Sequence, residues 1–151
     1  MTSREGTVPD ETSGEGRVLG LDLGEARIGV AISDEDRRVA VPLGTVRAGA
    51  PQDLRAISRI VSENGVSLVV VGHPLSLRGE RGRQAANAEK FADALRALLP
   101  IPVVLHDERL STAEAERGLR EAGARGRRMR EVVDRSAATV ILQSFLGSRR
   151  G

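Results

Sequence analysis

Three acids stand where the apolar pattern of the chain calls for buried residues. Asp22 interrupts the run Val18 to Leu23, and Glu108 follows the run Val103 to Leu105. Asp134 shares a helical stripe with Ala138, Ile141 and Phe145, at spacings of four, seven and eleven. Asp is a poor strand former and is rarely buried without a partner, so something must offset its cost. If the three acids converge they repel one another, and the usual remedy is a hard divalent cation, Mg²⁺ or Mn²⁺ rather than zinc. Two such ions about 3.5–4 Å apart form the clamp used for in-line displacement at phosphodiesters. Taken singly, each acid has a plainer reading. Asp22 could cap a turn, Glu108 could pair with Arg109, and Asp134 could sit near a helix start stabilised by the helix dipole. Asp107 is a further candidate ligand, its alternative being an exposed acid or a partner for Arg109.

Positive charge is concentrated in two glycine-containing stretches, one with Arg78, Arg81 and Arg83, the other with Arg125, Arg127, Arg128 and Arg130. Arginine's planar fork suits phosphate oxygens, and the interleaved glycines let a sugar-phosphate backbone come close. The net charge is only +2, yet Lys90 is the sole lysine and there is no Tyr or Cys, which accounts for a pI of about 10.2. Aromatic residues make up 1% of the chain, too few for base stacking to be the main mode of recognition. Backbone shape, rather than base sequence, is what such a surface reads. His73 and His106 are candidates for proton transfer or phosphate orientation, against the plainer reading of satisfied histidines at strand ends. The absence of cysteine excludes disulfides and Cys-ligated zinc. The start, Met1 to Gly16, lacks the apolar core of a signal peptide. No apolar run approaches the roughly 20 residues of a membrane span, and the expected address is cytoplasmic.

The elements that must carry these residues follow from periodicity. Val18 to Leu23 and Ile28 to Ile32, separated by Gly24-Glu25-Ala26-Arg27, predict a β-hairpin in which Gly24 supplies the permissive backbone. Val39 to Leu43 with Val46 predicts a third strand, and Pro42 restricts it to an edge. Pro51 at a first helical position, then Leu54, Ile57, Ile60 and Val61, predict a helix ending at Asn64-Gly65. Ser67 to Gly72 is a continuous apolar run, the pattern of a strand covered on both faces. A helix with Ala88, Phe91, Ala92, Leu95 and Leu99 inward precedes a short strand, Val103 to His106. Ser111 and Glu114 form a capping box for a helix that Gly123 ends, and a last helix runs over roughly 131–146. A meander of three strands followed by alternating helices and strands predicts an α/β domain, a mixed five-stranded sheet flanked by helices. With strands one, four and five parallel and adjacent, Asp22 and Glu108 share the carboxyl edge where open α/β sheets place ligands. Residues 1–16 are expected to be a disordered tail, 17–147 the domain, and 148–151 a short C-terminal tail.

Several stretches resemble one family in order: Gly20-Leu-Asp22-Leu-Gly24, Arg27-Ile-Gly-Val-Ala-Ile-Ser-Asp34, Val71-Gly-His-Pro-Leu75, Asp107-Glu-Arg-Leu-Ser-Thr112, and Val133-Asp134 with Ala137-Ala138 and Ile141-Leu142. They are similar to the YqgF family, also called RuvX, bacterial relatives of Holliday-junction resolvases with a ribonuclease H-like fold. The resemblance covers about residues 17–147, and Asp-Glu-Arg-Leu-Ser-Thr is its most specific run. It implies a divalent-metal-dependent nuclease that cuts structured nucleic acid, either the 5′ end of the 16S ribosomal RNA precursor or a Holliday junction. It places the catalytic metal ligands on Asp22, Glu108 and Asp134. Arg78 departs from the acid or amide common before the loop glycine, and the second basic loop is wholly arginine where lysine is usual. Gly20 to Gly24 also resembles the first phosphate motif of actin-like and sugar-kinase ATP-binding domains, although Glu25 stands where Thr or Ser commonly contacts phosphate. A third reading is a catalytically idle nucleic-acid-binding module, which three buried acids disfavour. The sequence leaves RNA or DNA, and monomer or homodimer, open.

Overall fold

A computed structural model describes residues 14–76, 78–110 and 136–150. Strands β1 (Arg17–Leu23), β2 (Arg27–Ser33) and β3 (Ala40–Arg47) form the meander. Helix α1 (Gln52–Asn64), strand β4 (Val66–His73), helix α2 (Arg83–Leu98) and strand β5 (Val103–Asp107) follow. A 3₁₀ turn, Glu108–Leu110, leaves β5, and the last described helix is α3 (Ala137–Arg150). The five strands are ordered β3-β2-β1-β4-β5. β1 is antiparallel to β2 and parallel to β4, and β4 is parallel to β5. This is the mixed sheet flanked by helices expected from the pattern. The capping-box helix between Ser111 and Gly123 lies outside the described residues. Among the described residues, no helix is long and apolar enough to cross a membrane.

Alternation along the strands divides the core into two layers. Leu19, Leu21, Val69 and Val71 pack with Ile57, Ala88, Ala92 and Leu95 of α1 and α2. Val18, Ala31, Ala40, Leu68 and Val70 pack on the other side with Ile141, Leu142, Phe145 and Leu146 of α3. Each large side chain buried this way contributes about 1.5–3 kcal/mol, so α3 is held mainly by its apolar stripe. Buried Gln143 adds direction: its amide oxygen accepts the Ala40 N–H at 2.8 Å, and its nitrogen donates to the Arg38 carbonyl at 3.0 Å. Pro42 does lie on the sheet's edge strand, paired only with Ala31.

Two local expectations are refined. Gly24 is required by close approach, since a Cβ there would stand 2.7 Å from the Arg27 carbonyl oxygen. Pro51 is the N-cap of α1 rather than its first helical residue, and its carbonyl accepts the Arg55 N–H. At the start of the fold, Arg37 donates to the carbonyls of Gly16 and Glu15, which ties the chain down from Glu15 onward.

Gly20 is what lets α3 lie close on β1. A Cβ at Gly20 would fall 2.7 Å from the Leu142 Cβ and 3.3 Å from the Ala138 carbonyl oxygen. Gly20→Ala is therefore expected to destabilise the protein by about 1–3 kcal/mol, as overpacking does. Urea unfolding measures the loss, and adding Leu142→Ala should not restore it, because the opposing Cβ and carbonyl remain.

Candidate active site

Asp22 is the third member of the β1 face that carries Val18 and Gly20 toward α3. It pairs with Gly29 of β2. Leu21 pairs with Val71, which brings Gly72 level with Asp22, and Gly72 pairs with His106 of β5. One row of the sheet thus reads Gly29, Asp22, Gly72, His106. Its two glycines leave the floor clear on both sides of the acid. Glu108, the first residue of the 3₁₀ turn, fills one of these clearings. A Cβ at Gly72 would lie 2.6 Å from Glu108 Oε2 and 2.7 Å from Ile141 Cδ1. The Glu108 carboxylate therefore lies over the bare Gly72 backbone, on the side of the sheet where Asp22 stands. The N-terminal turn of α3 overlies the same end, with Ala138 Cβ 3.5 Å from where a side chain on Gly29 would begin.

Both carboxylates are half-buried, and neither has a hydrogen-bond or ion-pair partner among the described residues. Burial raises the Asp22 carboxyl above the ordinary range. Glu108 is also raised, first by burial and then by the negative charge of Asp22, with His73 offsetting part of the effect. Two acids held side by side without donors have the electrostatics of a cation site, because a hard cation would replace the hydration they have lost. Among the described residues no third ligand joins them. Asp134 lies outside the described residues, as do Arg125, Arg127, Arg128 and Arg130.

The signs of these shifts give a pH prediction. Carboxyls raised above their unfolded values make the metal-free fold most stable at low pH, and they withdraw that stability as pH rises through the folded values. A bound cation competes with those protons and restores the stability above that range. The gain in Tm on adding Mn²⁺ is expected to be negligible at about pH 4, near ordinary carboxylate values. It should grow as pH rises and then level off. Thermal melts across pH, with and without Mn²⁺, measure it.

The neighbouring charged groups are otherwise engaged. Asp107 is gripped by Arg109, whose Nε lies 3.0 and 2.9 Å from its two oxygens and whose Nη2 lies 2.5 Å from Oδ2. This pair holds the Asp107 carboxyl below the ordinary range. Arg109 thus serves Asp107. On the α2 side of β4, His73 Nε2 lies 2.7 Å from Glu89 Oε2. Glu89 is also forked by Arg81, through Nε at 2.8 Å and through Nη2. Arg81 and His73 together hold the Glu89 carboxyl down at about 2. Arg81 is therefore committed to α2, whereas Arg78 and Arg83 are exposed and have no partner among the described residues. His106 Nε2 meets Ser144 Oγ at 2.7 Å and stands edge-on to Phe145, so it ties β5 to α3. Motif reading quoted Gly72 within Val71-Gly-His-Pro-Leu75 without giving it a role, and it passed over Glu89. The Gly-His pair at a strand end and an acid one turn from an apolar stripe were their only local signals.

Comparison with known proteins adds the following. The family model RuvX, described as Holliday junction resolvase, matches residues 16–148. A protein of Chloroflexus aggregans, named as a candidate pre-16S rRNA nuclease, is 50% identical over 137 residues, which is 90% of this chain and 96% of that protein. One of the same name from Mycolicibacterium paratuberculosis is 47% identical over 144 residues, covering 94% of this chain and 86% of its own. Among solved structures, T. thermophilus RuvC in complex with a Holliday junction substrate superposes with a TM-score of 0.53 at 15% identity. That alignment covers 89% of this chain and 96% of RuvC, and it supports the ribonuclease H-like arrangement of the sheet.

Proposed function

The chain belongs to the RuvX family, and from that membership we propose that it is a divalent-metal-dependent endonuclease that processes the 5′ end of the 16S ribosomal RNA precursor. The observation that carries the reading is the pair formed by Asp22 and Glu108, two half-buried carboxylates brought to one strand end with no donor to satisfy them among the described residues. Asp134 is the proposed third ligand, three residues ahead of the α3 end that opens beside Asp22. The donor set is all carboxylate oxygen, which suits Mg²⁺ or Mn²⁺. When bound, such an ion supplies Lewis acidity at the phosphodiester and lowers the pKa of water.

The rest of the work falls to the chain. Asp22 and Glu108 supply negative charge from a half-buried site, held in place by β1 and the 3₁₀ turn, where the charge is screened less than in open solvent. Arg78 and Arg83, exposed and without a partner among the described residues, offer their forks to flanking phosphates. Arg81, held by Glu89, braces the segment between them. The basic residues Arg125, Arg127 and Arg128 are proposed to extend this phosphate contact. RNA processing of this kind places the protein in the cytoplasm, and one active site suffices for trimming an end, so a monomer is adequate.

A second reading, resolution of Holliday junctions, is favoured by the description of the family model. Symmetric cutting of a junction needs two active sites and so a homodimer. Side-by-side cleavage of a precursor ribosomal RNA fragment and a four-way DNA junction, with Mg²⁺ and with Mn²⁺, separates the two. The expected result is cleavage of the RNA at its 5′ flank; cleavage of the junction alone, by a dimer, overturns it in favour of the second reading.

A further inference from the structure

We propose that the groove between the β1–β2 turn and the first turns of α2 binds one nucleotide of the substrate strand beside the phosphodiester that is cut, with the Gln84 and Asn87 side-chain amides as its polar contacts. The proposal rests on the nuclease reading above. The groove has a volume of about 610 Å³, and Glu25, Ser76, Glu80, Arg83, Gln84 and Asn87 are among the residues that line it. That size falls in the range of roughly 300–1,000 Å³ typical of ligand clefts. It opens at the same end of the sheet as the carboxylate pair. Glu25 is three residues beyond Asp22, and Pro74, which also lines it, directly follows the last residue of β4.

Gln84 and Asn87 are three apart on α2, so they lie on one face of the helix. Both are exposed, and neither has a hydrogen-bond partner among the described residues. Exposed amides alone would mean little. What distinguishes these two is the wall they share, which carries charge of both signs. Arg83 contributes a cation on their side, while Glu25 and Glu80 contribute carboxylates. A groove lined only by arginines would accept any phosphate. Here the phosphates are confined to the Arg83 side, and the acids accept hydrogen bonds from ribose hydroxyls or exocyclic amines. An amide both donates and accepts, so Gln84 and Asn87 can follow the strand from phosphate to sugar. The Arg81–Glu89–His73 network fixes the position of this wall from behind, since Arg81 lines the groove while its guanidinium is tied to α2.

The test uses the full chain and a single-stranded RNA oligonucleotide spanning the 5′ flank of the precursor. In Gln84→Ala/Asn87→Ala, the oligonucleotide Kd and the KM for cleavage are expected to rise about five- to tenfold, the effect of losing two hydrogen bonds. The kcat and the Tm gain on adding Mn²⁺ should stay as in the wild type. A charged variant, Gln84→Glu/Asn87→Asp, should weaken binding further. Wild-type Kd and KM in both variants overturn the groove assignment alone, whereas a wild-type protein that neither binds nor cuts the oligonucleotide overturns the nuclease reading and the groove with it.

Discussion

Asp22→Asn is expected to lower the cleavage rate by on the order of 10³-fold while raising the melting temperature of the metal-free protein. The first effect follows from removing one of the two proposed carboxylate ligands, since a bound cation supplies several kcal/mol of transition-state stabilisation. The second follows from the mutual repulsion and burial of the two carboxylates. Asp22 is raised by burial, and its charge in turn raises Glu108, so the ionised pair costs the fold free energy at neutral pH. An amide of the same shape removes both the desolvation and the repulsion. Thermal melts and single-turnover cleavage on one preparation check the two effects together. A variant that lost activity and stability in parallel would instead mean that Asp22 is a structural residue.

Gly72→Ala should reproduce the loss of activity without touching any acid. The added methyl would meet Glu108 Oε2 at 2.6 Å and Ile141 Cδ1 at 2.7 Å. Both are far ends of flexible side chains, so the fold can yield at modest cost, about 1–3 kcal/mol for overpacking. The Glu108 carboxylate, however, can yield only by leaving its place above the sheet. A displacement of about 1 Å in a catalytic group can cost on the order of 10²-fold. The expected outcome is a folded protein with cleavage reduced by about that factor and with weaker Mn²⁺ binding. Circular dichroism, cleavage kinetics and metal titration read the three quantities, and full activity in a folded Gly72→Ala protein would show that Glu108 does not need this seat.

Much of the fold was legible because its signals are local. Pro42 cannot donate to a ladder, so it announced the edge strand; the unbroken apolar run Leu68 to Val71 announced a strand covered on both faces. Those two facts with the meander are enough to order the sheet. The acids Asp22 and Glu108 stood out because each contradicts the pattern around it. Gly72 did not stand out, because its importance comes from lying level with Asp22, and register across parallel strands is a non-local property of the chain. Glu89 was hidden for a similar reason. Nothing in the sequence couples it to His73 and Arg81, which α2 brings together only by packing on β4 and β5. Arg81 therefore read as one of three equivalent phosphate contacts, whereas Glu89 occupies it. The phosphate-motif resemblance of Gly20 to Gly24 was equally local and, alone, left an ATP-binding reading open. Relatives 50% identical over 90% of the chain place it with the nucleases instead.

The role proposed for Asp22 and Glu108 is to hold a divalent cation together. Calorimetric titration of Mn²⁺ into the full chain at neutral pH, repeated on Asp22→Asn and Glu108→Gln, tests it directly. Saturable binding is expected in the wild type, and binding weakened by at least about tenfold in each variant, the scale set by losing one charged ligand. Equal Mn²⁺ affinity in all three proteins would contradict it.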